Sequence, residues 1–194
     1  MTPELLAEIK KANEVIRNGG IILYPTDTIW GIGCDATNEK AVEKIYNLKK
    51  REESKSMILL LDAEGRLLQY VKDVPDQAYD LIEVSDKPLT IIYDDAKNLP
   101  SNLIAADGSI AIRICKDEFC KNLIGQMRKP LVSTSANLSG EKSPATFDDI
   151  SEEIKNGVDH IVNWRQNERQ SGQASEIIRI RKGGLFEIVR RASS

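Results

Sequence analysis

Short, wholly apolar runs set between helix-patterned segments are the feature that most limits how this chain can fold. Ile21-Ile22-Leu23-Tyr24 and Met57-Ile58-Leu59-Leu60-Leu61 carry no charged residue and end in polar loops. Such runs read as strands buried on both faces. Thr90–Tyr93 and Ser109–Ile114 are further strand candidates, the second with Arg113 set among apolar neighbours. Helices lie between them. Thr2-Pro3 is a capping threonine followed by proline at the first helical position. Leu5, Ile9, Ala12 and Ile16 then mark one helical face, and Gly19-Gly20 ends it.

The same punctuation continues down the chain. Asn38 caps a helix whose apolar face is Ala41, Val42, Ile45 and Leu48. Asp62 is placed to cap a short helix, a further helix follows Pro75, and Asp117 caps one bearing Phe119, Leu123 and Met127. Phe147 to Ile154 reads as a short acidic helix, and His160-Ile161-Val162 as a strand whose histidine is structural. Ser175–Ile180 and Leu185–Val189 flank Lys182-Gly183-Gly184, a hairpin signal. No repeat, low-complexity segment or linker interrupts the order. The expectation is one α/β domain over residues 1–194, with an open, twisted, mixed β-sheet flanked by helices.

Composition narrows the function. The net charge is -3, which argues against a strongly basic nucleic-acid binder, so any anion site must be a local cluster of Lys and Arg. The single histidine, His160, excludes His-rich metal centres. Cys34, Cys115 and Cys120 have no paired spacing, which predicts reduced thiols and a cytoplasmic protein. No apolar run approaches the roughly 20 residues of a membrane span.

The strongest site candidate is Lys129 to Gly140. There Leu131-Val132 runs into Ser133, Thr134, Ser135, Asn137 and Ser139. These short donors and acceptors serve a group lying against the backbone, such as a phosphate, a carboxylate or a base edge, although the same residues also build ordinary turns. Pro25-Thr26-Asp27-Thr28 closes the first strand with two hydroxyls and a carboxylate, where open α/β sheets bind ligands. Lys49, Lys50, Arg51 and Lys55 cluster at and after a helix end. They either complement the helix dipole or clamp a polyphosphate. Arg113 needs an anion, from a ligand carboxylate or from a protein Asp or Glu. Neither GxxxxGK[ST] nor GxGxxG occurs, so a nucleotide would be held by side chains and the serine loop.

Three stretches in this order, Tyr24-Pro25-Thr26-Asp27-Thr28, Lys49-x-Arg51 with Lys55, and Ser133-Thr134-Ser135-Ala136-Asn137-Leu138-Ser139-Gly140, resemble the YrdC-like threonylcarbamoyl-AMP synthases. The length corresponds to the short, single-domain form. The resemblance implies a nucleotidyltransferase that condenses L-threonine, bicarbonate or CO2, and ATP to threonylcarbamoyl-AMP and pyrophosphate. The product supplies threonylcarbamoyladenosine modification of tRNA. It implies that Lys49, Arg51, Lys55, Ser109, Ser133, Ser135, Asn137, Ser143 and Arg190 bind ATP, with Lys49, Arg51, Ser135 and Asn137 closest to the chemistry. Thr26, Thr28, Arg113 and Ser175 would hold threonine. Mg2+ would arrive on ATP, held mainly by phosphates. Implied partners are downstream tRNA threonylcarbamoyl transferase proteins, with weak contact to tRNA itself and none with a membrane.

This sequence departs from the family pattern at Trp30, Glu52, Ser56-Met57, Leu60, Glu176 and Arg179, which bears more on the threonine pocket than on the nucleotide site. The competing reading is a module of the same fold that binds a nucleotide or RNA without turnover.

Overall fold

The computed structural model describes residues 1–50, 57–168, 174–181 and 183–191. Helix α1 (Pro3–Arg17) opens the chain, and Thr2 accepts a hydrogen bond from the Leu5 amide as its cap. Strands β1 (Ile22–Tyr24) and β2 (Gly31–Gly33) follow, then α2 (Glu39–Lys49), capped by Asn38 through the Ala41 amide. Next come β3 (Ile58–Leu61), the short α3 (Leu67–Tyr70), α4 (Asp76–Val84), β4 (Leu89–Tyr93) and β5 (Ile110–Ile114). The remainder is α5 (Glu118–Met127), β6 (Leu131–Ser135), α6 (Glu152–Gly157), β7 (His160–Ile161), β8 (Glu176–Ile180) and β9 (Phe186–Arg190).

The nine strands form one mixed sheet in the order β7-β1-β2-β6-β3-β5-β4-β8-β9. β3 and β5 run parallel, as do β4 and β8, and β1 and β7; the other neighbours are antiparallel. Because side chains alternate across a strand, each strand serves two surfaces. Leu59, Leu61, Ile91, Tyr93, Ile110, Ile112, Val132, Ile178 and Ile180 face the larger core, beneath α2, α3, α4 and α6. On the other side, α1 and α5 cover Ile22, Tyr24, Leu60 and Leu131. Full burial of a Leu or Ile such as Leu5, Ile9 or Ile16 contributes about 1.5–3 kcal/mol, which is what binds α1 to that face. The helices do not extend across the whole second face. Beyond them it is lined by Ile58, Arg113, Ser133, Ser135, Ile177 and Arg190.

Strand β2 is glycine at both ends because its neighbours cross it. Tyr24 reaches over Gly33 to donate its hydroxyl to the Val132 carbonyl at 3.0 Å. A Cβ on Gly33 would collide with that carbonyl and with the Tyr24 ring.

Two local expectations fail. Asp62 caps nothing: its carboxylate takes Arg66 Nη1 at 2.8 Å, and the following turn has no side-chain cap. The helix expected over Phe147–Ile154 begins only at Glu152, with Ser151 as its cap. Thr146 instead closes a turn on Asp149, and the Phe147 ring packs on Trp30 with centroids 4.9 Å apart. The hairpin stands, with Gly183 and Gly184 at φ +88° and +80° supplying its turn.

Candidate active site

The uncovered half-face of the sheet is the floor of a cleft of about 210 Å³. Its walls come from distant parts of the chain: Thr28 to Gly31, Met57 and Ile58, Arg113, Ser133 to Ser135, Ser143, Ala174 and Ser175, Ile177, and Arg190. Strand register explains the meeting. Ser133 pairs with Ile58, Arg113 with Thr90, Thr90 with Ile177, and Ile177 with Arg190. Side chains of directly paired residues point to the same face, so these positions share one surface.

At the β1 exit the hydroxyls form a directed chain. Thr26 Oγ1 donates to the Ile29 carbonyl at 2.8 Å, so in the 2.8 Å contact with Thr28 Oγ1 it is the acceptor. Thr26 Oγ1 also accepts the Thr28 amide at 2.9 Å. Thr28 Oγ1 in turn accepts from Arg113 Nη1 at 3.2 Å, so its proton is committed and its remaining lone pair is open to a donor. Arg113 is 3% exposed and its Nη2 lies 3.2 Å from Asp27 Oδ1. The open alternative for Arg113 is thereby resolved in part: a protein carboxylate balances its charge. Its buried Nε nevertheless has no hydrogen-bond partner among the described residues. A guanidinium already oriented by Asp27 and Thr28, on a residue that lines the cleft, suits a ligand carboxylate.

Across the cleft, Ser175 and Thr90 share a 2.8 Å hydroxyl contact, and both are buried. Arg190 donates from Nε and Nη2 to the Ser175 carbonyl at 3.3 and 2.8 Å. Burial, and then the nearby Arg113 charge, hold its pKa below the usual arginine value. Two guanidinium groups thus act on one cleft, where an anion would relieve their repulsion. The serine loop forms the third wall, with Ser133, Ser135 and Ser143 lining the space.

Not every expected residue joins this group. Ser109 sits at the opposite end of β5 from Arg113, and its hydroxyl donates to Asp107 Oδ1 at 2.6 Å. It serves a turn, where Ser109 and then Arg179 hold the Asp107 carboxyl down to about 2. Asn137 does not line the cleft; its amide nitrogen donates to the carbonyls of Leu138 and Glu141, both at 2.8 Å, and so fixes the loop. Lys49, expected to complement the helix dipole or clamp a polyphosphate, is 1% exposed, and its ammonium is held by the carbonyls of Ser135 and Asn137. Arg51 and Lys55, with the departures at Glu52 and Ser56, lie outside the described residues. Arg179 is clear of the cleft, bridging Asp94 and Asp107 at 2.6 and 2.8 Å. Leu60 is buried in the core under α1 and α5.

Sequence reasoning placed the Asp27 carboxylate at the β1 exit without naming it as the partner of Arg113, and it missed Thr90 as a site residue. Thr90 had the same signal as Arg113, a polar residue inside an apolar strand, and the two prove to be directly paired. Among the described residues no group of three or more His, Cys, Asp or Glu comes together as a metal centre, and no helix is long and apolar enough to cross a membrane.

An open α/β sheet presenting hydroxyls and two arginines in one half-covered face suits small anionic ligands. Comparison with known proteins gives the family. The family model for the Sua5, YciO and YrdC proteins, described as telomere recombination, matches residues 14–192, and the chain belongs to that family. A threonylcarbamoyl-AMP synthase of Pseudoalteromonas translucida is 35% identical over 158 residues, which is 80% of this chain and 84% of that protein. One from Idiomarina loihiensis is 33% identical over 159 residues, 80% and 83% of the two chains. Among solved structures, E. coli YciO superposes with a TM-score of 0.81 at 23% identity, over 95% of this chain and 88% of its own, and shows the shared fold. P. abyssi Sua5 complexed with L-threonine superposes with a TM-score of 0.80 at 26% identity, over 89% of this chain. The present chain spans 50% of that Sua5 chain.

Proposed function

We propose that this chain is a threonylcarbamoyl-AMP synthase. The observation that carries the reading is the convergence of Thr28, Arg113, Ser175, Ser133, Ser135 and Arg190 on one cleft, from segments far apart in sequence. The enzymatic class is that of the two bacterial relatives. The threonine carboxylate would lie on Arg113, with the Thr28 lone pair accepting from the substrate and Ser175 on the other side. The triphosphate would lie along the serine loop toward Arg190.

The reaction balances as two steps. The neutral threonine amine attacks the carbon of CO2 or bicarbonate and loses a proton, giving a carbamate, with water released when bicarbonate is used. A carbamate oxygen then attacks the α-phosphorus, a P–O bond forms, the bond to the β-phosphate breaks and pyrophosphate leaves. Two anions must meet for the second step, so charge neutralisation and in-line positioning are the main requirements. Arg190 supplies part of that charge, and Arg113, already paired with Asp27, supplies orientation and hydrogen bonds. Mg2+ would enter with ATP, held by phosphate oxygens and water. The product would pass to a tRNA threonylcarbamoyl transferase.

Pyrophosphate release with MgATP and bicarbonate, with L-threonine, with serine, or with neither amino acid, tests the reading. Threonine-dependent release, together with the adduct by mass spectrometry, is expected. ATP binding with no threonine-dependent release would replace it with the nucleotide-binding module.

A further inference from the structure

Lys49 ends α2, and the next residue, Lys50, turns out of the helix with a left-handed φ of 50°. The two neighbours then diverge. Lys50 extends into solvent toward Glu153 at 2.8 Å, while the Lys49 ammonium lies buried against the carbonyls of Ser135 and Asn137. The backbone carbonyl of Lys49 also accepts the Ser139 amide at 2.9 Å, so a single residue grips the serine loop at three points. Burying an ammonium is costly unless its donors are satisfied, so this arrangement favours one loop geometry strongly.

The peptide plane converts that grip into aim. With the Ser135 carbonyl turned to Lys49, the Ala136 N–H of the same peptide must point the other way, and it donates to the Trp30 carbonyl at 3.1 Å. Strand β2 and helix α2 thus hold one peptide unit from both sides. Ser135 lines the cleft and Lys49 does not. Two of its three N–H donors are given to the carbonyls of Ser135 and Asn137 and the residue is 1% exposed, so Lys49 would have to leave its buried position to touch a phosphate in the cleft.

We propose that Lys49 is a positioning residue, acting on the nucleotide through the Ser135–Ser139 loop without contacting phosphate. The inference rests on the proposed nucleotide site. It moves Lys49 out of the phosphate clamp and makes it the fixed base on which the loop is set.

Acetylation of the intact chain with an N-hydroxysuccinimide ester, followed by peptide mass spectrometry, gives the first test and needs no variant. Lys50 should be modified and Lys49 spared, both with and without MgATP. Modification of Lys49 in the free protein, with protection by MgATP, would overturn the proposal. The second test compares AMP and ATP binding in Lys49→Met and Lys49→Arg. A residue acting through the loop predicts that Lys49→Met weakens both nucleotides by a similar factor, about tenfold. Amide exchange over 135–139 should rise in step, and Lys49→Arg should recover part of both. Loss confined to ATP, with AMP binding and loop exchange unchanged, would mark a direct phosphate ligand and overturn it. If the unmodified chain binds neither nucleotide, the proposed function falls. Labelling and exchange then still decide whether Lys49 holds the loop.

Discussion

Arg113 and Asp27, 86 positions apart, form an ion pair at the mouth of β1, with 3.2 Å between Nη2 and Oδ1 and the arginine almost wholly buried. Asp27 Oδ1 has no hydrogen bond among the described residues, so the pair depends on charge and on the exclusion of water. It holds the guanidinium against Thr28, where a carboxylate substrate would meet it.

Removing one partner leaves a buried charge uncompensated. Asp27→Ala should lower stability by about 3 kcal/mol, measured by urea unfolding. The double variant with Arg113→Met should lose less than the sum of the two single changes. In steady-state kinetics Arg113→Met should raise the threonine KM with little change in ATP affinity. An equal loss for both substrates would remove Arg113 from the threonine end.

Asn137→Ala deletes two hydrogen bonds that shape the serine loop, to Leu138 and Glu141. A loss of about 1–2 kcal/mol in stability is expected, with weaker ATP binding in parallel. Stability unchanged with binding lost would instead make Asn137 a direct ligand.

Gly33→Ala tests the crossing of β1, β2 and β6. Its Cβ would meet the Val132 carbonyl and the Tyr24 ring, neither of which can withdraw without breaking the Tyr24 hydrogen bond. Destabilisation of about 3 kcal/mol is expected from thermal or urea unfolding. Gly65, with nothing near its Cβ position, is the control: Gly65→Ala should be nearly neutral.

His160 reports on pH without interference from any other histidine. Burial is the main cause of its lowered pKa, only partly offset by Glu8 at 3.3 Å. With the folded value below the unfolded 6.5, the unfolded chain binds more protons near pH 6, so stability rises with pH there. Urea unfolding should show the chain losing stability as pH falls from neutral through 6.5 and below it. His160→Gln should remove the part of that slope due to the ring. An unchanged slope in the variant would assign it to carboxylates.

What was legible in the sequence was local. Thr2, Asn38 and Asp117 each make the capping bond their positions predict, because such a bond closes within three residues. The apolar runs gave strands because burial on both faces leaves no other pattern. Where two local solutions competed, the sequence misled: Asp62 is within reach of Arg66, and Thr146 with Asp149 forms a turn where acidic residues had read as a helix. The site was legible where polar residues interrupt apolar strands, as at Arg113, or cluster after them, as at Ser133 and Ser135. Lys49 was not, since its partners are backbone carbonyls 86 and 88 positions away, and a carbonyl leaves no mark in the residue code.

The half-covered sheet has a consequence for how such a protein changes over time. Along β6 Leu131 lies under α1 and α5, Val132 belongs to the large core, and Ser133 and Ser135 lie in the cleft. Adjacent codons therefore answer to different pressures, folding at one and ligand choice at the next. A lineage could re-tune what it recognises by substituting alternate letters of one strand, leaving intact the letters that keep the molecule in one piece.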